Sequence, residues 1–398
     1  LSDNMAPADR QHYIPVSRAR VREELFQLEG VSDHQREALS KVAGMLEAIW
    51  HHRAHAGLER LKLLYEKLDP DQFGEPELGG RDEFLSVLFE TLGSGNWEEI
   101  SDEEMQAAME GESVFPISLD IRSDEFVAMH LFKLGELVVS DVRSSWFGLK
   151  KEEVEIDSYD RVIQIIQFQE KEWFEERKRS KHYPGVEASG LHLRLFKTVP
   201  KLDLETIYPN TSPMMRVIDK VKIIAPLLGG FVTLGLKFGP LLVGADTGDT
   251  SLSVIAGLCT ALGTYVLKTY MSYQKTKEKY QTQVSKDLYF KGQANNTAVL
   301  NLLVDLAEEQ EVKEALLAYT FLLVESDKKY GRITLDSRIE QWLTETFGYQ
   351  IDFEIADALT KLQQMKLIRE EADGLLSVPP TAGALTILDE QWDGIFNY

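Results

Sequence analysis

The sequence of 398 residues is poor in the signals that most enzyme families leave in a sequence. It contains no P-loop, no G-x-G-x-x-G, no G-x-S-x-G and no H-E-x-x-H motif, and its eight histidines are scattered apart from one short cluster. A single cysteine, Cys259, excludes an intrachain disulfide framework and a cysteine-rich metal site. These absences favour a non-enzymatic protein without a metal or another cofactor.

Basic residues are also scarce. The chain holds 43 Lys and Arg against 65 Asp and Glu, a formal net charge of −22. A protein that binds nucleic acid needs a basic face that replaces counterions on the phosphate backbone, so no nucleic acid is expected as a partner. The N-terminal stretch LSDNMAPADRQHYIPVSR is polar and lacks the hydrophobic core of a secretory signal.

Two long apolar runs follow one another in the second half of the chain, at residues 223–244 and 252–271. At a helical rise of about 1.5 Å per residue each run would span roughly 30 Å, the thickness of the hydrocarbon core of a bilayer. The short polar stretch ADTGDTS separates them. We therefore expect a mainly α membrane protein built around a two-helix transmembrane hairpin, with a lipid bilayer as its first partner. The apolar run ALLAYTFLLV at residues 315–324 is too short to span and predicts a buried helix.

Basic residues flank the predicted hairpin, whereas its turn holds two aspartates. The positive-inside bias puts both large polar regions on the cytoplasm-like side of the membrane. The expected location is a bacterial inner membrane, a thylakoid-type membrane or an organelle membrane. Five of the flanking residues are predicted to contact lipid head groups: Arg216, Lys220, Lys222, Lys268 and Lys275.

The first apolar run contains a lysine and, three residues later, a proline. Pro240, flanked by Gly235 and Gly239, predicts a break or kink in the helix. Lys237 has two interpretations: its ammonium reaches the nearer membrane surface, or it faces an aqueous path inside an oligomer. In the second case the lining of a pore would include Lys237, Thr260 and Thr264.

Small residues recur every four positions in the second apolar run, at Ser253, Gly257 and Ala261. In lipid such spacing allows close approach of two helices. This face packs either within the hairpin or against a neighbouring subunit, and a homo-oligomer is expected.

The remaining sequence predicts three polar regions around the hairpin region of residues 211–285. Residues 1–80 have helical periodicity, and residues 81–210 contain the alternating stretches SVFPISLDI, RVIQIIQF and LHLRLFKTVP, which indicate strands of a mixed α/β domain. Residues 286–398 show the order helix, helix, helix, β-turn-β and helix, which is typical of a winged helix. Because this region holds 10 Lys and Arg against 20 Asp and Glu, we interpret it as a protein-binding domain.

One histidine cluster, HHRAH, lies in a helical stretch where Glu47, His51, His55 and Glu59 would share a face. Such spacing could hold a metal ion. A solvated polar face is the preferred interpretation, because no second cluster completes a coordination shell.

The stretch LRLFKTVPKLDLETIYPN, the two apolar runs and the C-terminal ALTILDEQWDGIFNY resemble the family known as domain of unknown function 3754. The resemblance implies a two-span membrane protein similar to transmembrane protein 143, with large polar domains and with no established catalytic residues.

From these observations we expect a hairpin-anchored, homo-oligomeric scaffold or interaction protein. The alternative is an oligomeric ion or solute channel lined by the hairpin helices.

Overall fold

The computed structural model describes residues 10–72, 76–110, 118–120, 122–145, 150–185, 188–209, 212–214 and 252–395. By their contacts these residues form two compact units. The larger unit comprises the described residues of Leu1–Ser101, Phe126–Pro200 and Gln293–Tyr398. The smaller unit comprises those of Asp102–Glu125 and Lys201–Gly292. The domain boundaries expected near residues 80, 210 and 285 stay a prediction.

The helices of the described residues, in chain order, are α1 (Arg18–Leu25), α2 (Asp33–Tyr65), α3 (Arg81–Ser94), α4 (Asp102–Glu110), α5 (Lys171–Glu176), α6 (Leu252–Lys291), α7 (Thr297–Val324), α8 (Arg332–Phe347), α9 (Ile355–Gln364) and α10 (Thr381–Gly394). Five short 3-10 helices accompany them in the described residues: Leu78–Gly80, Ser123–Glu125, Ser180–His182, Lys201–Ile207 and Ser326–Lys328. Local signals fix several helix ends. Ser32 and Gln35 form a capping box before α2, and Gly348 adopts the left-handed conformation after α8.

The described strands are β1 (Glu98–Glu99), β2 (Ser118–Asp120), β3 (Phe126–Ser145), β4 (Lys150–Phe168), β5 (His192–Pro200), β6 (Ser212–Met214), β7 (Gly292–Asn295), β8 (Arg369–Glu370) and β9 (Leu376–Ser377). Five of them form one sheet in the order β1-β3-β4-β5-β7. The pairs β1–β3, β3–β4 and β4–β5 are antiparallel. β3 and β4 form a long hairpin that provides the centre of this sheet.

Two apolar clusters hold the larger unit together, and α7 contributes to both. Its first turns, with Leu300 and Leu303, pack among the sheet, α3 and the second half of α2. Its last turns, with Leu317 and Phe321, pack among α1, the first half of α2 and the C-terminal helices. Between these two apolar ends the helix carries the charged stretch EEQEVKE, residues 308–314. The polar middle of α7 therefore lies between two hydrophobic cores.

In the smaller unit α4 lies against the 3-10 helix Lys201–Ile207, and the Tyr208 hydroxyl donates to the sulfur of Met105. β2 and β6 pair as a short antiparallel ladder. The whole of the 40-residue helix α6 belongs to this unit.

Across the described residues, none of the helices combines the length and the apolar character needed to cross a membrane. The second predicted span forms only the first half of α6, and the same helix continues to Lys291 through residues that include several lysines. The first predicted span, residues 223–244, lies outside the described residues. On this finding the transmembrane-hairpin fold class was wrong. The predictions built on it were wrong as well: an integral membrane location, a hairpin-anchored scaffold and a membrane channel.

Several local predictions are confirmed at the level of single elements. The stretch RVIQIIQF lies in β4, most of LHLRLFKTVP lies in β5, and ALLAYTFLLV forms the buried end of α7. In the C-terminal region α8, α9, the hairpin β8–β9 and α10 follow one another in the expected order. The hairpin turns at Gly374, which has a φ of +79°.

Candidate functional site

The residues predicted to act in a membrane fall into two groups. Seven of them lie outside the described residues: Arg216, Lys220, Lys222, Gly235, Lys237, Gly239 and Pro240. Seven others lie on α6: Ser253, Gly257, Thr260, Ala261, Thr264, Lys268 and Lys275. Of this second group, all but Ser253 have described surroundings and are exposed. The structure brings none of the described ones into a common site, and no observation tests the roles predicted for them.

The histidine cluster lies on α2, where one of its members has a partner from another helix. His51 Nδ1 lies 2.9 Å from Glu308 Oε2 on α7, although the His51 side chain is 73% exposed. Glu47 instead accepts a hydrogen bond from Arg22 at 3.0 Å. Within the described residues, no group of three or more His, Cys, Asp or Glu side chains is arranged to hold a metal ion.

The charged middle of α7 is the most polar part of the interior. Glu314 is fully buried, and its carboxylate accepts hydrogen bonds from Lys361 at 2.6 Å, from Gln310 at 2.8 Å and from Asn96 at 2.9 Å. Burial raises the pKa of Glu314, and the three donors act against this shift. Burial also lowers the pKa of Lys361, but the neighbouring carboxylates of Glu314 and Glu311 outweigh it and raise that pKa overall. At 2.6 Å the two groups form a salt bridge that is buried inside the fold.

Lys313, one residue earlier on α7, has different partners. Its ammonium donates to the carbonyl oxygens of Ile14 at 2.7 Å and Val16 at 3.2 Å. The Lys313 side chain is almost fully buried, and burial lowers its pKa to about 8. Lys313 thus ties residues 10–17, a stretch without helix, to the centre of the larger unit. We call this stretch the N-terminal segment.

The N-terminal segment also contacts the sheet. The Gln11 side chain donates to the carbonyl oxygen of Glu136 at 2.7 Å and accepts from the Glu136 amide at 3.2 Å. Beside them Gly135 has a φ of +67°, and a Cβ built there would lie 3.0 Å from the ring of Tyr13. Glycine at this position of β3 therefore allows the segment to approach the strand closely.

The first residues of the segment lie against a group of four carboxylates in the C-terminal region. We call Asp336 and Glu340 of α8, together with Asp352 and Glu354 before α9, the acidic cluster. The contacts are these: Arg10 Nη1 to Glu340 Oε2 at 2.9 Å, and His12 Nδ1 to Glu354 Oε1 at 2.7 Å and to Asp352 Oδ2 at 3.9 Å.

Backbone pairing accompanies these charge contacts. Gln11 forms a parallel β-bridge with Ile351, in which the Asp352 amide donates to the Gln11 carbonyl at 2.9 Å. The Gln11 amide donates to the Gln350 carbonyl at 3.5 Å. Arg10 and His12, on either side of this bridge, both reach the cluster.

Asp336 is the member of the acidic cluster with the least favourable surroundings. Its Oδ1 atom is buried and has no hydrogen-bond partner in the described part of the chain. Burial, followed by the charges of Glu340, Asp352 and Glu354, raises the pKa of Asp336 to about 6, and Arg10 acts in the opposite direction. Four carboxylates thus face one arginine and one histidine, so the cluster keeps an excess of negative charge.

Comparison with known families bears on a different part of the chain. Residues 159–298 match the family described as protein of unknown function (DUF3754). The match supports the predicted resemblance to this family, but it does not confirm a two-span membrane protein similar to transmembrane protein 143. No solved structure matches the chain. The DUF3754 match extends from within β4 to the start of α7, so the acidic cluster and the N-terminal segment lie outside it.

An unusual residue lies close to the end of the matched region. Asn296 has a φ of 49° and a ψ of −129°, and its side chain accepts from Tyr65 and Leu193 and donates to Asp71. The next residue, Thr297, donates to Asp69 at 2.7 Å beside an open groove of about 380 Å³. These bonds join β5, β7 and the loop after α2 at the start of α7.

Sequence reasoning missed the N-terminal segment and the acidic cluster. The excess of carboxylates in residues 286–398 was visible, but the contact partners are far apart in sequence. Arg10 and Glu340 are 330 positions apart. The only local signal was the alternation of arginine and histidine in the stretch RQH.

Proposed function

We propose that this protein is a protein-binding module whose C-terminal region recognises an extended basic segment of a partner protein. The proposal rests on the contacts that Arg10, Gln11 and His12 make with the acidic cluster and the backbone beside it. An arginine and a histidine at alternate positions lie against carboxylates, while the backbone between them pairs with residues 350–352. Addition of an extended chain to an exposed backbone edge, with side chains read at alternate positions, is a general mode of peptide recognition.

The charge of the C-terminal region supports a basic partner. Residues 286–398 hold twice as many acidic as basic residues. Beyond the acidic cluster, Asp389, Glu390 and Asp393 on α10 are exposed and form no ion pair within the described residues. Negative potential of this kind increases the rate of encounter with a cationic partner and disfavours an acidic one.

A binding role is also favoured over catalysis by the sequence. The full chain has no phosphate-binding loop, dinucleotide fingerprint, nucleophile elbow or zinc-protease motif. Within the cluster Glu340 pairs with Arg10, and Glu354 and Asp352 lie beside His12.

The proposal is tested with two labelled heptapeptides and the full-length protein. One peptide has arginine at its third and fifth positions and the other has glutamine at both. Fluorescence anisotropy is expected to detect binding of the basic peptide alone. The double change Glu340→Gln and Glu354→Gln should weaken this binding about tenfold, because two charge contacts are lost.

The matched control is Asp389→Asn with Glu390→Gln, which removes the same charge from exposed positions of α10. The control is expected to bind the basic peptide with nearly the affinity of the unchanged protein. Equal weakening by both double changes would mean that only net charge attracts the peptide, and the proposal would then be rejected.

A further inference from the structure

We infer that residues 10–12 are an autoinhibitory latch: they occupy the place on the acidic cluster that a partner's basic segment would take, and a partner must displace them. This inference rests on the proposed function and adds its regulation. The latch has the two properties of a competitor. It resembles the proposed ligand, and the contacts of residues 10–12 with the acidic cluster are weak.

The N-terminal segment is held loosely at residues 10–12 and firmly from residue 13 onward. The side chains of Arg10 and His12 are 39% and 37% exposed. By contrast, Tyr13, Ile14 and Val16 are buried in the two apolar clusters, and Lys313 holds the carbonyl oxygens of Ile14 and Val16. Exposed ion pairs contribute little to stability, whereas buried groups with satisfied hydrogen bonds are costly to remove. Residues 10–12 can therefore leave the cluster while residues 13–17 stay in place.

Neutral contacts also hold the latch closed. They include the backbone bridge between Gln11 and Ile351 and a hydrogen bond of 2.8 Å from the Asn96 side chain to the His12 carbonyl. The Gln11 side chain exchanges two hydrogen bonds with the backbone of Glu136 on β3. These bonds carry no charge, so the latch can be loosened without altering the electrostatic attraction of the cluster. Substitution of Gln11 therefore separates competition by the latch from the general effect of charge.

Competition has a quantitative consequence. When a site is open for only a fraction of the time, the apparent dissociation constant of its ligand is the intrinsic value divided by that fraction. Loosening the latch must then tighten the binding of an added peptide, although the variant gains no new contact to it.

The experiment measures the affinity of the arginine-containing heptapeptide for the unchanged protein and for Gln11→Ala. We expect the variant to bind about three- to tenfold more tightly, as the loss of two neutral hydrogen bonds from the closed state implies. The double change Arg10→Gln with His12→Gln should act in the same direction. Circular dichroism melting of each variant verifies that it is folded.

Hydrogen exchange followed by mass spectrometry gives a readout of the latch itself. Adding the basic peptide to the unchanged protein should speed amide exchange in residues 10–12 and leave residues 13–17 protected.

Equal affinity of the unchanged protein and both variants would overturn the latch and leave the proposed function standing. Failure of the basic peptide to bind any of the three proteins would overturn the proposed function and the latch with it.

Discussion

Glu314 and the acidic cluster are two carboxylate sites that contact basic side chains, and they differ in what surrounds them. Glu314 on α7 is sealed between the two apolar clusters, and its partner Lys361 is almost equally buried. The acidic cluster lies at the surface, where its partners Arg10 and His12 are more than one-third exposed. Loss of a partner leaves a carboxylate cut off from water in the first case and a carboxylate with partial access to water in the second. A carboxylate with a basic partner therefore stabilises the fold in the interior, whereas at the surface it forms a contact that another basic side chain can replace.

The largest expected effect comes from breaking the interior pair. In Lys361→Met the Glu314 carboxylate stays buried without its cation, which we expect to destabilise the protein by about 3–5 kcal/mol. Urea unfolding at neutral pH measures this loss. The double change Lys361→Met with Glu314→Gln removes both charges and should recover most of the stability. A single change that cost less than about 1 kcal/mol would mean that the pair is not sealed from water.

The second effect concerns Lys313 and depends on pH. Burial holds its folded pKa at about 8, below the ordinary lysine value of about 10.4 in the unfolded chain. Between these two values the unfolded state binds more protons, so stability contributed by this group rises with pH and is lost as pH falls through about 8.

The comparison of unchanged protein with Lys313→Met isolates this contribution. Between pH 8 and pH 10 the free energy of unfolding of the unchanged protein should rise by about 2 kcal/mol relative to that of the variant. Parallel pH profiles for the two proteins would contradict the burial of Lys313 as a charged group.

The smallest of the three effects belongs to the surface. The folded pKa of Asp336 is about 6, above the ordinary value of about 3.9. A carboxyl group whose pKa is raised by folding contributes stability that is fully present below its unfolded-state pKa. This stability is lost as the pH rises through its folded-state pKa. Ionised Asp336 therefore costs stability above about pH 6. Asp336→Asn should stabilise the protein by about 1 kcal/mol at pH 8, after allowance for solvent screening of a partly exposed group.

At pH 4 the gain from Asp336→Asn should largely disappear. Asp389→Asn, at an exposed position of α10, serves as the control and should change stability little at either pH. A similar gain from both changes would show that the relief is a property of net charge and not of the acidic cluster.

The sequence predicts the regular elements better than their surroundings. Alternation along β5 and the helical spacing in α8 and α9 are local patterns, and local patterns decide local structure. The same reasoning misjudged residues 252–271, because an apolar run in a sequence does not by itself show that the helix lies in a membrane. The position of β3 was missed, although its partner β4 carried a readable pattern.

The polar contacts could not be predicted from the sequence because they join distant segments. Asn96, from the loop after α3, and Lys361, from α9, both donate to Glu314 on α7, and they are 218 and 47 positions away from it in the sequence. In isolation the stretch EEQEVKE has the composition of a solvated helix face. Only the packing of two apolar clusters at either end of α7 places that charged stretch inside the protein.

The central claim is that the acidic cluster reads basic side chains of an extended segment at defined positions. A double-mutant cycle tests it directly, by combining Glu340→Gln in the protein with arginine-to-glutamine replacement at the third position of the heptapeptide. If these two groups contact one another, the cycle should give a coupling energy of about 0.5–1 kcal/mol, decreasing with added salt. A coupling energy of zero within error, at low salt and with a peptide that still binds, would contradict the account.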